Sequence, residues 1–99
     1  MTTYDVQMTS HAEKDLKKMD RTAAAKAREV LQLLKRDPQA GHLLSGSLKK
    51  VRSLEFSAPG KAYRATYFIE GRTCIVFAIG PHENFYDLVT RRFQSLKVR

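Results

Sequence analysis

Residues 74–79 constrain the fold of this chain more than any other segment, because all of them are apolar. A strand with one face in solvent alternates apolar and polar residues, whereas a strand covered on both faces is apolar throughout. We therefore expect residues 73–79 to lie centrally in a sheet. Gly80 and Pro81 are predicted to end this strand, and a helix is predicted to follow.

The N-terminal third of the chain predicts a short strand and two helices. Ser10 and Glu13 have the spacing of a capping box at the start of the first helix, and Asp20 is placed to cap the second. Asp37 and Pro38 are expected to stop the second helix. The apolar residues recur with the spacing of these elements: Tyr4, Val6 and Met8 in the strand, Ala12, Leu16 and Met19 in the first helix, and Ala23, Ala27, Val30, Leu31 and Leu34 in the second.

The middle of the chain predicts a meander of strands. Residues 39–47 are expected to form a loop, and strands are predicted over residues 48–57 and 62–70, with a turn at residues 58–61. Gly71 permits the positive φ of a tight hairpin turn before the apolar strand. In the strand over residues 62–70, one face carries Tyr63, Ala65, Tyr67 and Ile69, and the other carries Arg64, Thr66 and Phe68.

The last helix carries an apolar stripe made of Phe85, Leu88, Val89, Phe93 and Leu96. Arg92 falls inside this stripe, so we expect a packed stem and a head group that reaches solvent or an acidic partner. The element order β-α-α-β-β-β-α predicts an α+β fold. In it, an N-terminal helical hairpin packs on a small antiparallel sheet with a C-terminal helix.

A length of 99 residues predicts a single domain over residues 1–99. The chain has one cysteine, Cys74, which is expected to be a small buried residue and fits a reducing cytoplasm. No apolar targeting segment is recognisable at the N-terminus, and no apolar run is long enough to span a bilayer. We expect a cytoplasmic protein.

The chain is strongly basic, with 18 Lys and Arg residues against 10 Asp and Glu residues and a net charge of +8. Such a balance favours polyanionic partners, either nucleic acid or an acidic protein. The alternative is that the charge only keeps the protein soluble. Charge by itself therefore does not identify a function.

His82 is the strongest candidate for a catalytic residue. It is predicted to lie between the end of a strand and the N-terminus of a helix, which is a natural binding place for a phosphate. Metal-independent RNA cleavage uses the neighbouring 2′-hydroxyl as nucleophile. It needs a base, an acid for the 5′-oxygen and a cation for the developing charge. An imidazole can act as acid or base. The alternative is a histidine that only packs or caps at a helix entrance.

Arg64 is the second candidate, since a guanidinium on a sheet face can clamp a phosphate in bidentate fashion. The alternative is an ion pair with Glu55 on the neighbouring strand. Both can hold, because a carboxylate that orients Arg64 would support catalysis. Glu55 and Glu83 are also possible bases, although Glu83 is more simply explained as a charge at a helix N-terminus.

The remaining candidates are an aromatic residue and a group of cations. Tyr86 lies four residues after His82 and could stack on a base, support a proton transfer or flank the core. His11 and His42 have no partner at a recognisable spacing. No metal or nucleotide motif is present, so no cofactor is expected. Cations suited to contacts with an RNA backbone are Lys49, Lys50, Arg52 and Lys61.

Several features occur in order along almost the whole chain: a helical hairpin ending in Asp37-Pro38, the stretch GSLKKVRSLE at residues 46–55, a Tyr63-Arg64-x-x-Tyr67 strand, and IGPHENFY at residues 79–86. In this order they resemble the RelE/ParE superfamily of toxins from bacterial type II toxin–antitoxin pairs. The resemblance implies a small sheet backed by two N-terminal helices. It also implies a cognate antitoxin that covers the basic cleft.

The superfamily divides by function. RelE-like members are ribosome-dependent endoribonucleases that cut mRNA in the A site, whereas ParE-like members inhibit DNA gyrase without catalysis. The arginine of the ribonuclease branch matches Arg64, and the histidine and aromatic of YafQ-like members match His82 and Tyr86. Glu55 matches an acidic position of some members. The lysine pair of RelE itself is not reproduced in register, nor is its cation at the position of His82.

The resemblance thus implies an mRNA interferase of the histidine-using, YafQ-like kind, with the ribosome and mRNA as partners. In it, His82 is the acid or base, Arg64 contacts the phosphate and Tyr86 positions the substrate. A gyrase inhibitor that acts by protein–protein contact is the alternative and requires neither His82 nor Arg64. A basic nucleic-acid-binding module without catalysis would explain the charge but leaves His82 without a role.

Overall fold

A computed structural model of the protein describes residues 3–81 and 85–97. The elements, with a 3₁₀ turn at Gly46–Leu48, are β1 (Asp5–Met8), α1 (Ser10–Lys18), α2 (Arg21–Leu33), β2 (His42–Leu43), β3 (Arg52–Ala58), β4 (Lys61–Glu70), β5 (Thr73–Pro81) and α3 (Phe85–Lys97). Among the helices of these residues, none has the length and apolarity that crossing a membrane requires.

The strands of the described residues form one five-stranded sheet in the order β1-β5-β4-β3-β2. β5 has a neighbour on each side, which confirms that the apolar strand is internal. The predicted α+β class is also confirmed. The sheet is mixed rather than purely antiparallel, because β1 runs parallel to β5 from Asp5 opposite Thr73 to Met8 opposite Val76. A long stretch of chain separates these two strands, so no tight turn forces them to be antiparallel.

Helices cover both sides of the sheet. The side against α1 and α2, here called the hairpin face, contributes Leu54, Phe56, Tyr63, Ala65, Tyr67, Cys74, Val76 and Ile79 to a first core with Ala12, Leu16, Ala23, Ala24, Ala27, Leu31 and Leu34. The other side, here called the α3 face, contributes Phe77 and Ala78 to a second core with Leu48, Val51, Phe85, Val89 and Phe93. The apolar stripe predicted for the last helix is therefore confirmed as its packing surface.

A β-bulge in β5 lets this strand contribute to both cores. Thr66 of β4 pairs with Ala78, but the next residue, Tyr67, pairs with Val76, so Phe77 is an extra residue in the ladder. As a result, Phe77 and Ala78 both point to the α3 face. The ring of Phe77 lies 5.8 Å from that of Phe93, measured between centroids. The bulge therefore supplies an aromatic anchor for α3.

Asp15 of α1 and Arg92 of α3 complete the edge of β5 where β1 ends. The Ile79 N–H donates to Asp15 Oδ2 at 3.0 Å, and Arg92 donates to the Phe77 carbonyl at 3.1 Å. The two side chains also form an ion pair with an Nη1–Oδ2 distance of 2.6 Å. The acidic partner expected for Arg92 is thus Asp15. The Asp15 and Arg92 side chains thus form hydrogen bonds with β5 backbone groups that a longer β1 would have paired.

Tyr67 fixes the loop between α2 and β2. Its hydroxyl donates to the Pro38 carbonyl at 2.7 Å and accepts from the Gly41 N–H at 2.9 Å. Burial raises the pKa of Tyr67 above its ordinary value of 10.0, although the Gly41 hydrogen bond acts in the opposite direction. Burial likewise raises the pKa of the Cys74 thiol, and the expectation that Cys74 is buried is confirmed.

The helix boundaries differ slightly from those predicted. Thr9, not Ser10, is the N-cap of α1, and its hydroxyl accepts from the Ala12 N–H at 3.3 Å. Thr9 and Ser10 both carry a hydroxyl that can cap a helix. The sequence pattern therefore does not distinguish a helix that starts after Thr9 from one that starts after Ser10. The predicted cap at Asp20 is confirmed by a 2.7 Å bond from the Ala23 N–H.

The strand boundaries differ more. The predicted loop over residues 39–47 contains the short strand β2, and β3 starts at Arg52 rather than at Leu48 because the 3₁₀ turn occupies Gly46–Leu48. β5 does not stop at Gly80: Gly80 and Pro81 remain paired with Arg64 and Tyr63 of β4. Pro81 is tolerated because it lies at the end of the strand, beyond the reach of β1.

The ion pair at the edge of β5 gives a stability prediction. Asp15→Ala is expected to lower the free energy of unfolding by about 3 kcal/mol, because it leaves a partly buried guanidinium and the Ile79 N–H without their acceptor. Urea unfolding followed by circular dichroism measures this. The control, Glu29→Ala, removes the exposed Lys26–Glu29 pair at 3.5 Å. It should cost less than about 0.5 kcal/mol. An equal loss in both variants would contradict the prediction.

The Tyr67 hydroxyl gives a pH prediction. Because its pKa is higher in the folded than in the unfolded chain, the folded state keeps a proton that the unfolded state releases above about pH 10. Stability should therefore fall as pH rises through that range, and Tyr67→Phe should flatten the fall. At neutral pH the same variant should cost about 1–3 kcal/mol, since two loop groups lose their partner. Unfolding curves from pH 7 to 11 test both points, with Tyr63→Phe as the control.

Candidate functional site

Part of the α3 face is open to solvent where β3 and β4 are not covered by α3. Glu55, Ser57 and Ala62 are exposed there, and Arg64 is half-buried. α3 packs against β5, while Leu48 and Val51 cover the other end of the face through the second core. We call the exposed region around Glu55 and Arg64 the open patch.

Arg64 and Glu55 meet at the centre of the open patch. They are opposite each other in the ladder between β3 and β4, so both side chains point to the same face. Arg64 Nη2 lies 3.5 Å from Glu55 Oε2, and the Arg64 side chain is 20% exposed. The predicted ion pair is confirmed by this contact. A guanidinium that is held by a carboxylate and is still reached by solvent can also bind a phosphate.

His42 also lies beside Glu55. It is in β2, opposite Ser53 of β3, and its Nε2 is 4.0 Å from Glu55 Oε2. The sequence shows no partner for His42 at a recognisable spacing, because β2 is too short to show a two-residue period. Only the pairing of β2 with β3 brings this histidine to Glu55. The structure therefore adds a titratable group to the open patch.

His82 and Glu83 lie outside the described residues, so their roles stay predictions. The strand that leads to them is described. Gly80 is opposite Arg64, and Pro81 is opposite Tyr63. The chain therefore leaves the sheet next to the open patch, at the Arg64 end of β4.

Tyr86 lies in the first turn of α3 with its side chain exposed. α3 starts close to the end of β5. A Cβ added to Gly80 would lie only 3.2 Å from the ring of Phe85, the first residue of α3. The Tyr86 carbonyl accepts from the Thr90 hydroxyl at 3.0 Å. The phenol ring of Tyr86 faces solvent beside Asp87, Thr90 and Arg91. An exposed ring at this place is free of core packing and can stack on a base.

The predicted basic residues do not form one surface. Arg52 alternates with Leu54 and so belongs to the hairpin face, where it donates to the carbonyls of Gln39 at 3.2 Å and Gly41 at 2.6 Å. It holds the loop that Tyr67 also holds, on the side of the sheet opposite the open patch. Lys61 lies on the hairpin face as well, beside Tyr63. Lys49 and Lys50 are exposed in the turn before β3.

The open patch combines a guanidinium, a carboxylate and an imidazole in reach of solvent. These groups can bind an anion and transfer a proton. Within residues 3–81 and 85–97, no cluster of three or more His, Cys, Asp or Glu side chains could hold a metal ion. The side chains of the open patch are suited to phosphate binding and acid–base catalysis.

Solved structures share this fold. A chain of the toxin–antitoxin complex RelBE2 from Mycobacterium tuberculosis is 26% identical with a TM-score of 0.69, and the match covers 82% of this chain and 100% of that one. A mutant of the E. coli toxin RelE in the free state is 14% identical with a TM-score of 0.76, over 95% of this chain and 98% of that one. A chain of the chromosomal ParDE system from P. aeruginosa is 17% identical with a TM-score of 0.57, over 82% and 98%.

The family comparison identifies the chain. No curated protein matches it in sequence. The family of ParE-like toxins of type II bacterial toxin–antitoxin systems matches residues 6–89, which is most of the sequence. With the RelE-like fold just described, this match establishes that the chain belongs to the RelE/ParE toxins of type II bacterial toxin–antitoxin systems.

Proposed function

We propose that this toxin is a ribosome-dependent endoribonuclease that cuts mRNA in the A site and so inhibits translation. The observation that carries the proposal is the Arg64–Glu55 pair on the open patch, directly opposite the end of β5 that leads to His82. A toxin that acted only by binding would have no need to hold a half-buried arginine beside a strand end that leads to a histidine.

The proposed reaction is metal-independent. The 2′-hydroxyl attacks the neighbouring phosphorus, and the bond from phosphorus to the 5′-oxygen breaks. Arg64, oriented by Glu55, stabilises the negative charge that develops on the phosphoryl oxygens. His82 takes part in proton transfer, as in the histidine-using, YafQ-like toxins, and Tyr86 stacks on a base of the codon. Lys49 and Lys50, exposed in the turn before β3, contribute contacts to RNA phosphates.

The proposed partners are a cognate antitoxin, the ribosome and mRNA. Two of the similar chains come from toxin–antitoxin complexes, RelBE2 from Mycobacterium tuberculosis and E. coli RelBE. A net charge of +8 suits both an acidic protein segment and ribosomal RNA. The site of action is then the cytoplasm, where translating ribosomes are.

The alternative is inhibition of DNA gyrase through protein–protein contact. The match to the ParE-like toxin family favours it. The two activities differ in what they require of the open patch. Cleavage needs Arg64 as a cation next to the reacting phosphate, whereas a contact inhibitor can lose it and remain active. A supercoiling assay with purified gyrase is the direct test of the alternative.

The first experiment maps new 5′ ends on a defined transcript by primer extension, with translating ribosomes and with or without the purified toxin. In-frame ends that appear only with toxin support ribosome-dependent cleavage. If the toxin arrests growth but produces no new ends, the ribonuclease proposal is wrong. Inhibition of supercoiling would then support the gyrase alternative.

Arg64→Ala is expected to lower the single-turnover rate of mRNA cleavage by about 10²–10³-fold, because it removes a cation that stabilises the transition state. The matched control is Arg72→Ala, which removes the same charge from an exposed residue at the β4–β5 turn. This control should cleave within about threefold of the wild-type rate. If Arg64→Ala lowers the cleavage rate by less than tenfold, Arg64 has only a structural role.

His82→Ala is expected to abolish growth arrest in cells while the toxin still folds and binds its antitoxin, because the variant lacks a group for proton transfer. Growth after induced expression, thermal unfolding and co-purification with the antitoxin are the three measurements. His11→Ala is the matched control and should remain toxic. Toxicity in a folded His82→Ala protein would contradict the catalytic role of His82.

A further inference from the structure

We propose that an acidic amphipathic helix of the cognate antitoxin docks in a furrow between α1 and α3, at the edge of the sheet and away from the open patch. The inference rests on the antitoxin partner proposed above and not on the cleavage reaction, so it applies to a ribonuclease and to a gyrase inhibitor alike. Three features carry it: the apolar floor of the furrow, the cations on its rim and the flank of α3 along which it runs.

The furrow lies between two antiparallel helices. The N-terminus of α1 is beside the C-terminal part of α3, and a first recess of about 410 Å³ opens between them. The last turn of α1 is beside the first turn of α3, where a second recess of about 380 Å³ opens. Arg92 lines the first recess and Asp15 lines the second, so their ion pair bridges the two helices where the recesses meet. The furrow is these two recesses together.

The floor of the furrow is apolar. Leu88 lines both recesses, and its side chain is only partly buried. The other apolar lining residues that the structure describes include Phe77 and Leu96 in the first recess and Met19, Tyr63, Ile79 and Phe85 in the second. A protein segment that covers partly exposed apolar side chains is stabilised by their burial. RNA binds chiefly through phosphates and stacked bases, so this floor suits a protein segment better.

The rim of the furrow is cationic. Among the described residues that line it, the carboxylates are Asp15 and Asp20, and both are engaged. Asp15 accepts from Arg92 and from the Ile79 N–H, and Asp20 accepts from the Ala23 N–H as the cap of α2. A complementary segment therefore carries Asp or Glu on either side of its apolar face. The exposed cations of the rim are Lys18, Lys61 and Arg91.

The spacing of the recesses favours a helix as the occupant. His11 lines the first recess and Lys18 lines the second, seven residues further along α1. At a rise of 1.5 Å per residue, these positions are roughly 10 Å apart along the helix axis. Two apolar residues seven apart on a docked helix span the same distance and lie on one face. One such residue in each recess would anchor the segment.

α3 separates the furrow from the open patch. Leu88 and Arg92 line the furrow, whereas Tyr86 and Thr90 each precede one of them by two residues. Residues two apart on a helix point about 200° away from each other, so Tyr86 and Thr90 lie on the opposite flank of α3. A helix docked in the furrow therefore holds the toxin without covering the open patch.

Charge reversal on the rim tests the docking site. The Kd between full-length toxin and immobilised full-length cognate antitoxin is measured for each variant. The furrow variant is Lys18→Glu with Arg91→Glu, which reverses one cation of each recess. The matched control is Arg28→Glu with Arg72→Glu, which changes the net charge equally at two exposed residues outside the furrow. A third variant, Leu88→Ala, truncates the apolar side chain that both recesses share.

The furrow variant is expected to raise the Kd roughly 10–100-fold, because two attractive rim charges become repulsive. Leu88→Ala is expected to raise it about tenfold, since it truncates a central apolar contact. The control should stay within about threefold of wild type. Thermal unfolding of each free variant measures whether the fold is intact. If Lys18→Glu weakens the last turn of α1, Lys18→Gln with Arg91→Gln replaces it and should raise the Kd about tenfold.

Photo-cross-linking tests the chemistry of the occupant. Benzoylphenylalanine in place of Ser95, which is exposed at the first recess, is expected to cross-link to the antitoxin. The cross-linked segment should carry apolar residues seven apart with Asp or Glu beside them. In place of Arg28, the same photo-reactive residue should reach a different segment or give no adduct. A Ser95 cross-link to a basic segment would contradict the docking of an acidic helix.

The failures can be told apart. If the furrow variant and Leu88→Ala both bind within about threefold of wild type, the antitoxin docks elsewhere and the inference is wrong. If the furrow variant and the control weaken equally, only net charge matters, and the inference is again overturned. It is also overturned if the furrow variant keeps its affinity for the antitoxin but loses affinity for 70S ribosomes, because the surface then binds RNA. The ribonuclease proposal is decided separately, by the new 5′ ends in primer extension.

Discussion

Burial of β5 on both of its faces is the requirement on which the rest of the structure depends. Val76 and Ile79 pack under the helical hairpin, and Phe77 and Ala78 pack under α3. Neither helical layer could be removed without exposing one side of this strand to water, at a cost of roughly 1.5–3 kcal/mol for each large side chain. The bulge at Phe77 matters for the same reason, because it turns two consecutive residues toward α3.

The edge of β5 shows how the layers are joined. β1 pairs with only the first part of β5, and the Asp15–Arg92 pair takes over where β1 ends. One ion pair thus links a helix of the hairpin layer to α3 across the edge of the sheet while it satisfies strand backbone. Since α3 starts beside Gly80 and runs over β5, its position leaves uncovered the end of β3 and β4 that carries Glu55 and Arg64. The open patch is a consequence of that arrangement.

The fold by itself does not decide what this toxin does. Structures from both RelE and ParDE systems share it, and a shared fold does not imply a shared function. The distinction therefore depends on particular side chains. In this chain the open patch presents Arg64, Glu55 and His42 together, which is an arrangement with chemical consequences, whereas Arg52 is engaged with loop carbonyls on the other face.

Local pattern predicted most of the fold correctly. The Asp20 cap, the Gly71 turn with a φ of 62°, the internal apolar strand and the stripe of α3 all follow from residue spacing, and all are confirmed. Strand ends were less predictable, because pairing with β4 carried β5 through Gly80 to Pro81. The parallel direction of β1 and the short strand β2 left no periodic signal.

At the candidate site, the residue types and one contact follow from the order of residues alone. Arg64 and Glu55 could be matched because antiparallel neighbours joined by a short turn have a register that the turn fixes. Three other features are visible only in the folded chain: His42 joins this pair, Arg52 faces the opposite side of the sheet and Asp15 reaches Arg92. These contacts depend on how distant segments pack, and packing is set by the shapes of two cores and not by the spacing of residues along the chain.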